Sequence, residues 1–157
     1  NHSVKLAWGK IDIYSAAQSI KNFATGVFPS HWLEMVKSRL YEGDENTAWT
    51  LHRIVRDLLT LFSPICPFFT HYLSTTLYGE SSVDVREFPE VPVTDLAYSE
   101  KGIKLRGMTH HLISFNGEVW KAKKDAGISL NSPISEIVIP DELTILYDDL
   151  MMMHKLE

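Results

Sequence analysis

Cysteine is almost missing from this 157-residue chain. Cys66 has no second thiol to pair with, so no internal disulfide can form, which fits a reducing compartment. Long apolar runs are missing too, leaving no segment for a membrane-spanning helix. The eight glycines and seven prolines are too few for a collagen-like or low-complexity chain. No basic-then-apolar leader with a small-residue cleavage site opens the sequence, so a secretory signal is not expected. The phosphate-cradling patterns G-x-x-x-x-G-K-[ST] and G-x-G-x-x-G are absent, as is H-E-x-x-H. Cys66, His71 and the His110-His111 pair lack metal-ligand spacing. Cys66, between Pro64 and Pro67 in an apolar run, reads as buried rather than nucleophilic. No catalytic residue, metal or cofactor site is therefore expected within these residues.

What is present suffices for a well-packed core. Hydrophobic residues make up 45% of the chain and aromatic ones 11%, ample for one domain with a small appended unit and too much for disorder. The net charge of -5 argues against a nonspecific binder of DNA or anionic membranes. Its distribution is uneven. Residues 1–41 carry five basic and two acidic side chains, and 101–125 carry six and two. Residues 61–79 carry no charge, whereas 80–100 and 126–157 each hold one basic and six acidic residues. The two basic segments are either solvated helix faces or local sites for a polyanion, and charge alone does not decide between them.

Periodicity supplies the organisation. Ile13, Ala16, Ala17, Ile20, Ala24, Val27 and Phe28 line one helix face behind an Asp12 N-cap. Pro29 removes a backbone donor, so a kink or restart is expected there, with a helix over residues 30–41 turning Leu33, Val36 and Leu40 inward and Lys37 outward. After a turn at Gly43-Asp44, Leu51, Ile54, Val55, Leu58, Leu59 and Phe62 form the clearest apolar stripe, with Arg53, Arg56, Asp57 and Thr60 on the polar side. Ser63-Pro64 ends that helix, and Pro67 opens another that Gly79 closes. Residues 80–98 read as an acidic, Pro-containing crossover. Met108, Leu112, Phe115, Val119, Ala122 and Ala126 mark a further helix ending at Gly127, with Lys121, Lys123 and Lys124 mostly on its other face. A short strand is expected over residues 134–139 and a helix over 141–154, with Leu143, Leu146, Tyr147 and Leu150 inward. Adjacent acids such as Asp148-Asp149 are expected to face water. The fold class is thus mainly α: an up-and-down helical bundle over residues 1–79, the crossover at 80–98, and a small α/β helix–strand–helix appendage at 99–157.

Four segments carry a resemblance. Phe28-Pro-Ser-His-Trp-Leu-Glu-Met-Val-Lys-Ser-Arg-Leu-Tyr41 is similar to an aromatic-Leu-Glu-x-x-Lys motif of the class Ia valyl-tRNA synthetases, found early in their anticodon-binding bundle. Leu58–Leu73 resembles the next signature of that bundle, L-x-P-x-x-P-F-x-T/S-x-x-L. Glu87-Phe-Pro-Glu90 occupies the place of a short aromatic-Pro element, and Phe115–Asn131 resembles the C-terminal helix and its K-x-x-x-G-L-S-L turn in an archaeal-looking form. The Leu/Pro/Phe pattern is shared with isoleucyl enzymes, whereas Trp32-Leu-Glu-x-x-Lys37 leans towards valyl. Departures accompany the matches. Pro29 stands where relatives often keep a small, helix-compatible residue, the H-I-G-H and K-M-S-K-S signatures are absent, and so, on this reading, is the helix that in the family normally precedes residue 10.

The resemblance implies a part, not a whole enzyme. A full family member joins L-valine to its tRNA using ATP through valyl-adenylate; these residues would hold the anticodon stem-loop while a catalytic domain of the same polypeptide, absent here, does that chemistry. A start at Asn1 rather than Met and an end at Leu156-Glu157 fit an excised piece. The implied setting is cytoplasmic, with no membrane partner. Anticodon loops present unstacked bases and phosphates. Lys37, matching the motif lysine, is the first candidate contact, followed by Arg39, Arg53 and Arg56, each of which could equally be a solvated helix cation. Trp32 could stack on a base or sit in the core. Lys121, Lys123 and Lys124 are weaker candidates. Two rival readings stay open: the equivalent domain of an isoleucyl or leucyl synthetase, and a helical protein-interaction module that binds no RNA.

Overall fold

The computed structural model describes residues 2–89 and 99–157, and they form a mainly α-helical protein. Part of the expected crossover, residues 90–98, lies outside the described residues. The described residues divide into two compact units. One holds residues up to Gly26 and from Asp44 to Pro89; the other holds Val27–Gly43 and the residues from Ser99 to Glu157.

The first unit begins with α1 (His2–Gly9), a helix where the resemblance implied that none would precede residue 10, and that expectation is corrected. Val4 and Ala7, one turn apart, are buried in it, and they are too few to stand out as periodicity in so short a segment. α1 packs on α2 (Ile13–Asn22), which buries Ala16 and Ile20. Asp12 caps α2 as expected: its carboxylate accepts a hydrogen bond from the Ser15 amide at 3.0 Å. α2 packs on α4 (Glu45–Phe62), and α4 on α5 (Pro67–Tyr78). Asp44 caps α4, accepting from the Asn46 amide, and Gly43 in front of it takes a φ of 83° that a side chain would resist. Pro67 occupies the first turn of α5 and Gly79, at φ 64°, closes it in the left-handed conformation, both as the sequence suggests. Cys66 is exposed rather than buried: it is the N-cap of α5, where the chain turns out to solvent between two prolines. Helix α5 buries Thr70 and Ser74 while Phe68, Phe69 and Tyr72 stay exposed. A 3-10 turn at Val83–Val85, capped by Ser82, buries Val83 against this unit.

The helix starting at Ile13 does not break at Pro29. It continues through a π-helical stretch, Phe23–Leu33, into α3 (Glu34–Tyr41). The wider i→i+5 register accommodates the missing donor and the ring that would crowd a regular α-turn. In the second unit α3 contributes Met35 and Val36 to a core shared with Met108, Leu112, Phe115 and Val119 of α6 (Glu100–Asp125), with Leu143, and with Leu150 of α7 (Tyr147–His154). Leu143 belongs to a 3-10 segment, Asp141–Leu146, in front of α7. Val119, Leu143 and Leu150 are wholly buried, each worth roughly 1.5–3 kcal/mol by transfer from water.

Three expectations need correction in this unit. No strand forms among the described residues: Ile134 makes one isolated parallel bridge with Leu156. Pro133 and Pro140 bracket the segment and Glu136 takes a φ of 69°, so the backbone cannot stay extended, and the opposite chain offers a single pairing residue. Tyr147 is exposed, because it starts the α-turn rather than continuing the 3-10 register that buries Leu143. Asp149 does not simply face water but pairs with Arg39 at 2.9 Å.

Candidate nucleic-acid interface

The residues expected to contact RNA divide between the units. Trp32, Lys37 and Arg39 belong to the second, Arg53 and Arg56 to the first.

Lys37 lies outward on α3, about half exposed, and its Nζ donates to the carboxylate of Glu34 at 3.2 and 3.3 Å. An exposed pair of this kind holds its lysine weakly, by under ~1 kcal/mol, so the ammonium can turn to a phosphate. Tyr41, one helical turn on, is 81% exposed. Arg39 is more committed. Its guanidinium meets Asp149, whose carboxyl burial pushes above its ordinary range even though the arginine pulls it down. Trp32 stacks on Phe28 with ring centroids 5.6 Å apart and packs against the second unit's core. It is a core residue with an exposed margin rather than an open platform.

In the first unit, Arg53 forms an ion pair with Asp57, its Nε 3.3 Å from the carboxylate, and its terminal nitrogens have no hydrogen-bond partner among the described residues. Arg56 donates to Glu80 and lies 5.3 Å above the Tyr78 ring centre. Arg86, which the sequence did not single out, organises this corner. Its guanidinium donates to the Arg56 carbonyl at 2.9 Å, to Ser74 Oγ at 3.2 Å and to Glu80. Burial pushes the Glu80 carboxyl up, but hydrogen bonds from Ser74 and Arg86 and the charge of Arg86 outweigh it and hold the group below its ordinary range. The Tyr78 phenol is raised by burial, against the pull of Arg56 and Arg86. Trp49, His52, Arg53, Arg56, Tyr78, Arg86 and their neighbours enclose a groove of about 840 Å³. The sequence held a signal for it: Trp49, His52, Arg53 and Arg56 recur at i, i+3, i+4 and i+7 on the face of α4 opposite its apolar stripe.

The second basic segment behaves differently. Lys121 and Lys124 are exposed, but Lys123 is fully buried. It follows Val119 by one turn on the inward face, and its ammonium donates to the carbonyls of Leu130, Ser132 and His154 at 2.9, 2.8 and 2.6 Å. Next to it His154 Nε2 lies 2.8 Å from Asn116 Oδ1, and Asn116 Nδ2 lies 3.0 Å from His31 Nδ1. His31, accepting from the amide nitrogen, is neutral in this arrangement, and His154 donates to the amide oxygen. Burial first, then the charge of Lys123, pushes the His154 imidazole down to about 4, and burial lowers His31 as well. This lysine is a structural pin, unavailable to RNA. Among the described residues no group of three or more His, Cys, Asp or Glu is arranged to hold a metal, and no described helix is long and apolar enough to cross a membrane.

Comparison with known proteins places the chain in a family. A family model described as the anticodon-binding domain of tRNA ligase matches residues 2–139. Among curated relatives, the valine–tRNA ligase of Aeropyrum pernix is 33% identical over 95% of this chain and 19% of its own length. That of Nanoarchaeum equitans is 32% identical over 90% of this chain and 18% of its length, and that of Pyrobaculum aerophilum 31% over 95% and 19%. The chain therefore spans about a fifth of the length of the relatives it matches. No solved structure matches it. The chain belongs to the anticodon-binding-domain family of tRNA ligases.

Proposed function

With membership of that family as the premise, we propose that this chain holds the anticodon stem-loop of a valine tRNA, as part of a valine–tRNA ligase. The parent protein would join valine to the tRNA at the expense of ATP, in the cytoplasm. Its ATP and adenylate chemistry would lie in a catalytic domain of the same polypeptide. Domain boundaries near residues 79 and 99, between an anticodon-binding bundle and an appendage, belong to the same proposal.

The observation that carries this reading is the family match over residues 2–139. The valine assignment is supported by the names of the archaeal relatives and by Trp32-Leu-Glu-x-x-Lys37. Lys37 supplies a phosphate contact from an exposed, lightly paired position. Arg53 adds a guanidinium paired through Nε with Asp57, and Arg56 a second one already shared with Glu80. Arg39 contributes mainly by fixing α3 to α7 through Asp149, and Trp32 by anchoring the same helix in its core. The acidic total does not oppose RNA binding, because charges farther off than a Debye length of ~8 Å are screened at physiological salt.

The test is binding of the chain to a valine anticodon stem-loop and to a hairpin with the same stem and a scrambled loop. Tighter binding of the valine loop is expected; equal affinity for the two, or none at low salt, would overturn the proposal. Aminoacylation by the intact parent with valine, isoleucine and leucine separates the three synthetase readings.

A further inference from the structure

We infer that the groove on α4 and α5 is a nucleobase pocket, in which Trp49 is the stacking platform and Arg53 and His52 read the base edge. The inference rests on the proposed RNA function and deepens it. Trp49 is 67% exposed, on the polar face of a helix whose opposite face already serves the core, so its indole plane has no packing role there. Arg53 follows it by one turn with its terminal nitrogens uncommitted among the described residues, and His52 meets Tyr78 through Nδ1, at 3.3 Å, and by an edge-on ring contact, leaving Nε2 for a ligand. These groups border one cavity of about 840 Å³, within the roughly 300–1,000 Å³ of small-ligand sites.

Charge selects the kind of ligand. Glu80 already holds Arg56 and Arg86, Asp57 lies against Arg53, and Glu87 is a further wall residue. A groove compensated in this way attracts a phosphate weakly. It offers instead an aromatic face for a neutral planar heterocycle, donors for the ring nitrogen or carbonyl edge, and the Asp57 carboxylate for an exocyclic amine. An unstacked base of single-stranded RNA has all three features. The phosphates would then be held outside this groove.

The experiment titrates the full 157-residue chain with the valine anticodon stem-loop at several salt concentrations. The chains compared are the unaltered one and the Trp49→Ala, Trp49→Phe and Arg53→Gln variants, and far-ultraviolet circular dichroism confirms that each variant stays folded. Trp49→Ala should weaken binding about ten-fold and abolish part of the tryptophan quenching, without changing the salt slope. Trp49→Phe should retain most of the affinity, and Arg53→Gln should weaken the natural loop more than one whose bases are replaced by abasic sites. Binding of all three variants equal to the unaltered chain would overturn the pocket while leaving the RNA function standing. No binding by the unaltered chain at low salt would overturn both.

Discussion

The two units use the same basic side chains for opposite purposes. In the second, Lys123 and His154 are wrapped by carbonyls and an amide, and their polarity is spent inside the protein. In the first, Arg53, Arg56 and His52 stand along an open groove beside an exposed tryptophan. A buried ammonium with three carbonyl partners fixes where a loop and a helix end. A half-exposed guanidinium with one lateral carboxylate leaves donors for something else. Counting charges along the chain points the wrong way here, since Lys123 lies in a basic segment whereas Arg53 and Arg56 lie in a net acidic stretch, and only the accompanying acceptors tell the cases apart.

The comparison is broken most easily at Lys123. Lys123→Met keeps the length of the side chain but leaves the carbonyls of Leu130, Ser132 and His154 without this donor. A loss of roughly 2–4 kcal/mol in unfolding free energy is expected by urea denaturation. A stability equal to the unaltered protein would mean that those acceptors are satisfied without the lysine.

Acid should reveal the neighbouring imidazole with a slightly smaller effect. His154 is held near 4 in the folded protein against an ordinary 6.5, so below 6.5 the unfolded chain gains a proton that the folded one refuses. Its contribution to stability is complete above pH 6.5 and is lost as pH falls through about 4, a total of about 3 kcal/mol. His31 shifts in the same direction. His154→Gln, which can still donate to Asn116, should flatten the upper part of that pH profile. An unchanged profile would place the titration elsewhere.

The smallest effects sharpen the contrast within α3. Arg39→Ala should cost at most ~1 kcal/mol of stability through the lost Asp149 pair and little RNA affinity. Lys37→Ala should do the reverse, leaving stability unchanged within error while weakening RNA binding. Denaturation and binding titrations on the two variants together check this, and matching behaviour of the two would dissolve the distinction.

Local signals carried much of this fold. The Leu51–Phe62 stripe, Pro67 with Gly79, and the Met108–Val119 spacing with Gly127 each specify a helix through contacts a few residues apart. Features that depend on distant partners were not legible. Pro29 reads as a breaker, but a π-helical register carries the chain through it. Residues 134–139 are apolar enough for a strand, but a strand needs a partner and only Leu156 is offered. Lys123 continues the apolar spacing of α6, yet its carbonyl acceptors come from residues seven to 31 positions away. For the candidate site, helical phase marked Lys37 and Arg53 as outward, and the resemblance to the motif lysine singled out Lys37. Arg86 was not, since its role depends on Ser74, Glu80 and the Arg56 carbonyl converging in space.

We propose that the chain holds a valine anticodon stem-loop with Lys37 on a phosphate. Measuring the dissociation constant of that stem-loop against salt for the unaltered chain and for Lys37→Ala tests it most directly. A linear fall of log K with log salt is expected for the unaltered chain, and for Lys37→Ala a weaker complex with a slope reduced by about 0.7. A Lys37→Ala chain that binds with the same affinity and slope, or an unaltered chain that binds a scrambled loop equally well, would contradict it.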